Sequence, residues 1–286
     1  MDQVSLFVER ALGKRVISIS PVGGGSISTA MKVTLAGRRP VFVKVSPQQP
    51  GMFQKEANGL RALAQAGAIK VPEVMFADEH ILILEFLATS PPSNRKKTFE
   101  IFGRQCAGLH RCTAASFGFT EDNYIGSTPQ QNMPRTDSWK EFYHIRRLQF
   151  QYYLAERNGY CDSQLRALFA ALTSRIDRLI PDDGEPPALL HGDLWNGNVL
   201  ILGEETTAII DPAVYYGHRE ADLAMTMLFG GFGDSFYSAY HEVYPLRPGW
   251  QKRMELYKLY HLFNHLNIFG EGYYGQVVGT MQRLVE

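Results

Sequence analysis

The chain has 286 residues, 45% of them hydrophobic and 20% charged, which is enough to bury a large core in one large or two modest domains. Lys plus Arg number 29 and so do Asp plus Glu, so the zero net charge gives no electrostatic reason to expect a nucleic-acid or anionic-membrane partner. The cysteines Cys106, Cys112 and Cys161 form no CxxC, the opening MDQVSLFVERALGKR lacks the apolar core of a signal peptide, and no run reaches the ~18 apolar residues of a membrane span. The expectation is a soluble cytoplasmic protein with free thiols. No heptads stand out, and the oligomeric state is not legible.

Val4, Phe7, Val8, Ala11 and Leu12 recur at helical spacing and predict an opening amphipathic helix. RVISIS, STAMKVTLA and PVFVKVS are short, alternating and rich in β-branched residues, with Gly or Pro between them, and predict three antiparallel strands. Phe53, Ala57, Leu60 and Ala64 mark a helix over 52–66, and PEVMFAD and HILILEFL predict two further strands. These elements make a small α+β lobe over 1–87, with the turn-rich ATSPPSN as its junction to a mainly helical lobe over 88–286. In the second lobe, NRKK reads as a solvated helix start. Phe99, Phe102, Cys106 and Leu109 line one helix, Trp139, Phe142, Tyr143 and Arg146 begin another, and Leu165 to Leu179 line a third that PDDGEPP stops. READLAMTMLF is helical, and two helices over about 250–269 and 273–285 close the chain. Those last helices read as core, although LFNHLNIFG could reach an acceptor pocket.

GGGS, at Gly23, Gly24, Gly25 and Ser26, joins the first two strands. Without Cβ atoms its backbone N–H groups could approach a phosphate, but a plain hairpin turn looks the same. Lys44 lies in VFVKV on the face opposite Val41, Val43 and Val45, either as an edge lysine or as a phosphate ligand under that turn. Glu56 is the sole acidic residue on the following helix and could hold Lys44 as an ion pair. The P-loop pattern GxxxxGK[ST] is absent.

HGDLWNGNVL sets polar, ligand-like groups between two apolar runs. Asp193 and Asn198 are five residues apart, and Asp211 follows Asp193 by eighteen at the end of TAIID. Phosphoryl transfer needs a carboxylate to take the proton of the attacking hydroxyl, and hard oxygen ligands for Mg²⁺ on the phosphates. Asp193 suits the first task, Asn198 and Asp211 the second. Other readings stay open: a non-catalytic nucleotide-binding pseudokinase, or a metal-dependent hydrolase using His191, Asp193 and Asp211.

HGDLWNGN with DPAVYYGHREADLAM, preceded in order by PVGGGSIS, FVKV and Glu56, resembles the fructosamine kinase (ketosamine kinase) family, within the aminoglycoside phosphotransferase-like branch of the kinase-like fold. The likeness runs over nearly the whole chain. It implies a two-lobed α+β protein-kinase-like fold and an ATP- and Mg²⁺-dependent phosphotransferase acting on an alcohol group. The implied substrate is a ketosamine, a fructosyl or ribulosyl group on an amine or lysine, phosphorylated at the 3-hydroxyl for deglycation. A related acceptor such as an aminoglycoside or choline is the alternative. It further implies that Gly23 to Ser26 cover the ATP phosphates, that Lys44 contacts them under the hold of Glu56, and that Glu85, Phe86 and Leu87 form the hinge for adenine. Asp193 becomes the base, Asn198 and Asp211 the metal ligands, and Asp222 a brace for the catalytic loop. Trp195 would contact the substrate, with Tyr215, His218 and Glu220 as candidates for the same pocket. His110 reads as a support for core or loop. Ser26 stands where some relatives carry a Cys, so no redox link at that turn is expected.

Overall fold

The computed structural model describes residues 3–23, 28–180 and 184–286. The first lobe is built on a sheet whose five strands are all antiparallel, in the order β1-β2-β3-β5-β4. It begins with helix α1 (Gln3–Leu12) and continues through β1 (Val16–Pro21), β2 (Thr29–Leu35), β3 (Val41–Val45), α2 (Met52–Ala66), β4 (Val74–Ala77) and β5 (Ile81–Glu85). Alternation sorts the side chains between the two faces. Val33, Val41, Val43, Ile81 and Ile83 pack with Val8 of α1. Phe42, Leu82 and Leu84 pack with Phe53, Ala57 and Leu60 of α2. Both faces are covered, which is why the ILIL run of β5 is apolar at every position. β3 is the middle strand, so Lys44 is no edge lysine, and it is only 7% exposed.

The second part is mainly helical. α3 (Arg95–Leu109) starts at Asn94, whose side chain caps it by accepting from the Lys97 N–H at 3.0 Å, as NRKK suggested. A hairpin of β6 (Asn123–Ile125) and β7 (Thr128–Gln130) follows, unanticipated because each strand is so short. α4 (Trp139–Tyr143) and α5 (Phe150–Arg157) are one continuous helix whose middle, His144–Gln149, widens into π-helical turns. The widening carries Arg147 fully inside, over the rings of Phe142, Tyr215 and Tyr260. The third predicted helix is two: α6 (Ser163–Thr173) and the single turn α7 (Ile176–Leu179), because the chain leaves helical geometry at Arg175 (φ −107°, ψ 3°). Pro181, Asp182 and Asp183 of the predicted stop lie outside the described residues.

Four short strands frame the HGDLWNGN segment. β8 (Ala188–Leu190) pairs with β11 (Tyr215–Gly217), and β9 (Val199–Ile201) with β10 (Thr207–Ile209). α8 (Glu220–Thr226), α9 (Asp234–Val243), α10 (Trp250–Phe269) and α11 (Tyr274–Val285) complete the chain. No described helix is long and apolar enough to cross a membrane.

α10 is buried along most of its length and carries a pH liability. His261 is 2% exposed, its Nδ1 has no hydrogen-bond partner, and burial pushes its pKa down to about 3. Unfolded, the same ring takes its proton near 6.5. Between those values the unfolded chain binds more protons, so stability is full above about pH 6.5 and falls as pH drops toward 3. At ~1.4 kcal/mol per pH unit, His261 accounts for a loss on the order of 3 kcal/mol at pH 4.5. Urea unfolding at pH 7.5 and 4.5 tests this. His261→Phe is expected to lose less between the two pH values than the parent, and equal losses would assign the acid sensitivity elsewhere.

Candidate active site

The site is a cleft of about 420 Å³ between the sheet and the helical part. It is lined from above by Gly23, Lys44, Glu56 and the Glu85–Leu87 strand end, and from below by Asp193, Trp195, Asn198 and Asp211. Gly24, Gly25 and Ser26 lie outside the described residues.

At its centre the Lys44 Nζ donates to Glu56 Oε1 at 2.7 Å and to Asp211 Oδ1 at 2.8 Å. Burial alone would depress the ammonium pKa. The Asp211 and Glu56 carboxylates more than offset it and hold Lys44 above its ordinary value, so it stays charged. Asp211 sits just past β10 with φ +55°, a left-handed conformation that Asp tolerates better than most residues. Its side chain is 42% exposed, so one oxygen serves Lys44 while the residue still faces the cleft.

The HGDLWNGN segment follows β8. Gly192 has φ +83°, and a Cβ there would stand 2.0 Å from the Ala213 carbonyl oxygen, so only glycine lets this loop cross the segment after Asp211. The crossing is tied by the Ala213 N–H to His191 O at 2.9 Å. Asp222, at the start of α8, accepts from the His191 N–H at 2.7 Å and the Gly192 N–H at 2.8 Å. His110 lies 3.3 Å from the same Asp222 carboxylate and 2.8 Å from the Tyr240 hydroxyl, which is a supporting position. The His191 ring is spent on the frame. Its Nδ1 accepts from the Asp193 N–H at 3.2 Å, so its Nε2–H donates to Ile210 O at 2.9 Å. Neither nitrogen is left for a metal, which removes the hydrolase reading.

Asp193 and Asn198 meet directly. The Asn198 Nδ2 donates to Asp193 O at 2.8 Å and to Asp193 Oδ2 at 3.0 Å. Desolvation raises the Asp193 carboxyl to about 7. The Asn198 hydrogen bond opposes this, and Asp211 and Asp222 add to it. A carboxylate poised near neutrality suits a general base. The same geometry fits a divalent cation: Asn198 keeps Oδ1, and Asp211 keeps Oδ2. Among the described residues no cluster of three His, Cys, Asp or Glu could hold a metal unaided. Two protein oxygens completed by phosphate oxygens and water is the manner of Mg²⁺.

Trp195 folds over Gly197, whose added Cβ would lie 2.4 Å from the indole, and also lines the cleft. It packs its own loop and faces the cleft. Beyond it Phe229, His265, Phe269 and Tyr273 form a ring cluster, with centroids 4.8 Å apart for Phe229 and His265 and 5.1 Å for His265 and Tyr273. Asn264, His265, Ile268 and Phe269 bring α10 into the wall, as LFNHLNIFG allowed.

Tyr215, His218 and Glu220 are not in the cleft. Tyr215 is 1% exposed with Arg147 over its ring at 4.2 Å. His218 packs between Trp139 and Tyr257, and Glu220 takes two 2.6 Å hydrogen bonds from Arg253. β11 and α8 lie behind the catalytic segment, so closeness in sequence to Asp211 does not place these residues at its front.

The fructosamine kinase family model matches residues 1–286. The chain belongs to the fructosamine kinase family. It is 42% identical over 263 residues to a probable ketoamine kinase of Synechocystis sp., covering 89% of this chain and 86% of that one. It is 41% identical over 268 residues to a chloroplastic protein-ribulosamine 3-kinase of Arabidopsis thaliana, covering 91% and 80%. A solved structure from Thermobifida fusca, assigned as a fructosamine-3-kinase, superposes with a TM-score of 0.89 at 37% identity over 100% of this chain and 99% of that one. An aminoglycoside phosphotransferase, solved with AMP-PNP and hygromycin B, shares the fold at a TM-score of 0.73 and 18% identity over 99% and 98%.

Gly192→Ala is expected to lose the catalytic arrangement or the fold. The new methyl meets a backbone oxygen at 2.0 Å in a left-handed conformation, which exceeds the ~1–3 kcal/mol of ordinary overpacking. Thermal melts and turnover of the variant check this. A stable, fully active Gly192→Ala would show that the crossing can open.

Proposed function

We propose that this chain is an ATP- and Mg²⁺-dependent ketosamine kinase that phosphorylates the 3-hydroxyl of a fructosyl or ribulosyl group on an amine or lysine. The observation that carries the reading is the meeting of Lys44, Glu56 and Asp211 beside the Asp193–Asn198 pair, in a chain 42% and 41% identical to ketoamine and ribulosamine kinases.

Lys44 is the fixed cation beneath the phosphates, and Glu56 keeps it in place when Asp211 turns to other ligands. Gly23 to Ser26 would cover the phosphates from above. The Glu85 N–H is already donated to Glu73 O at 2.8 Å, so the hinge N–H groups left for adenine are those of Phe86 and Leu87, with the Glu85 carbonyl as an acceptor beside them. Asn198 Oδ1 and Asp211 Oδ2 would hold Mg²⁺, which offsets phosphate charge. The Asp193 carboxylate orients the acceptor hydroxyl and takes its proton. The freed oxygen forms a bond to the γ-phosphorus while the bond to the β–γ bridging oxygen breaks, and ADP leaves with that electron pair. Positioning supplies most of the rate, since the transition state asks little covalent work of the protein. Trp195 offers an apolar face to the sugar and a π face to its amine. The 3-phosphorylated adduct is labile, which is the route to deglycation.

Incubation with ATP and Mg²⁺ is expected to add one phosphoryl mass to fructosyl-lysine or ribulosyl-lysine and none to aminoglycosides, choline or homoserine. Transfer to one of the latter alone would move the acceptor class. Asp193→Asn is expected to lower kcat by about 10²–10⁴ with nucleotide affinity nearly intact. Equal, low turnover in both proteins would favour the pseudokinase reading. Lys44→Met leaves Glu56 and Asp211 facing each other without their cation. It is expected to weaken nucleotide binding and lower the melting temperature, and binding unchanged by calorimetry would remove Lys44 from the phosphate site.

A further inference from the structure

Four side-chain amides run in line from the surface to the acceptor wall of the cleft. Asn158, just past α5, donates through Nδ2 to Asn267 Oδ1 at 3.0 Å. Asn267 on α10 donates through Nδ2 to the backbone oxygen of Gln151 at 3.0 Å and to its side-chain Oε1 at 2.8 Å. Gln151 on α5 donates through Nε2 to Asn264 Oδ1 at 3.1 Å. Gln151 is fully buried, and Asn264 is 3% exposed yet lines the cleft.

The direction of the chain follows from chemistry. A backbone carbonyl can only accept, so the nitrogen of Asn267 must face Gln151. That nitrogen then requires the oxygen of Gln151 beside it, which turns the Gln151 nitrogen toward Asn264. Facing a donor, Asn264 must present its oxygen to Gln151 and its Nδ2 the other way. Among the described residues that Nδ2 has no hydrogen-bond partner, and it is not among the fully buried orphan atoms. Because Asn264 lines the cleft, this Nδ2 is the side-chain group it has left to offer there, on the helix that also places His265 beside Trp195's aromatic neighbours. Holding a buried amide in one of its two orientations is specific work, because a free Asn would offer donor and acceptor alike.

Resting on the ketosamine kinase reading, we propose that Asn264 is a specificity-determining residue. Its Nδ2 donates to an oxygen of the acceptor sugar next to the hydroxyl that Asp193 deprotonates, and Gln151 is the positioning residue that fixes its polarity. A donor-only group selects an acceptor with a carbonyl or hydroxyl oxygen at that point and disfavours one with an ammonium there.

Steady-state kinetics with fructosyl-lysine or ribulosyl-lysine, whichever is turned over, test the assignment. Asn264→Leu removes the donor and is expected to raise the acceptor KM about tenfold, the loss of roughly one hydrogen bond. Gln151→Glu touches nothing in the cleft. Assayed above the raised pKa of its buried carboxyl, it can only accept from both neighbours, so Asn264 must turn its nitrogen inward and show its oxygen to the sugar. A similar rise in KM is expected, and in the double variant Gln151→Glu adds nothing to Asn264→Leu, because both act through one group. Should Asn264→Leu fail to fold by thermal melt, Gln151→Glu alone carries the test. Acceptor KM within twofold of the parent in a folded variant, or additive effects in the double variant, would overturn the proposal. A parent enzyme that phosphorylates no ketosamine would instead fail the functional reading and this inference with it.

Discussion

A buried ammonium on the middle strand of the sheet governs the arrangement of this molecule. Lys44 has water on almost no side, and an unpaired charge there would cost several kcal/mol. It is paired twice, once with Glu56 from its own lobe and once with Asp211, 167 residues further along the chain. The second pairing holds sheet and helical part in register across the cleft, with the charge they share facing the space where phosphates would lie. Removing Lys44 would leave two carboxylates facing each other without their cation, so the geometry of the site and the stability of the interface are the same interaction.

Below the cleft a second constraint sets the catalytic segment. Asp222 takes two successive backbone N–H groups, Gly192 allows the close crossing, and His191 spends both ring nitrogens on the loop. Asp193 and Asn198 are therefore presented by a frame whose polar groups are satisfied elsewhere. This is the condition for a site that works by positioning. The wall of the cleft formed by α10 is built differently, from rings and amides, where orientation comes from neighbours on α5 and not from the loop that carries Asp193.

Much of this was legible in order along the chain. The strands of the first lobe and the helices over 52–66 and 250–269 follow from period-2 and 3.6-residue patterns that the core enforces. Lys44, Asp193, Asn198 and Asp211 stand out because polar groups in apolar runs need a reason. The misreadings share a cause as well. Tyr215, His218 and Glu220 follow Asp211 closely, but the strand and helix that carry them turn behind the loop and into the core, where Arg147 and Arg253 meet them. The third helix broke at Arg175 although its apolar spacing continued, since periodicity reports a buried face and not the unbroken backbone beneath it. The hairpin at 123–130 was too short to register as a pattern.

The sequence by itself determined the lobes, the strand alternation and which polar residues stand out within apolar runs, because each of these is written in local spacing or in a charge placed where apolar residues should be. Tertiary structure alone decided which carboxylates share Lys44, which way the residues after Asp211 face, and how the amides from Asn158 to Asn264 point. Those outcomes depend on contacts between separate segments, up to 167 residues apart for Lys44 and Asp211, where no local period carries information and only the competition for buried hydrogen bonds selects one arrangement.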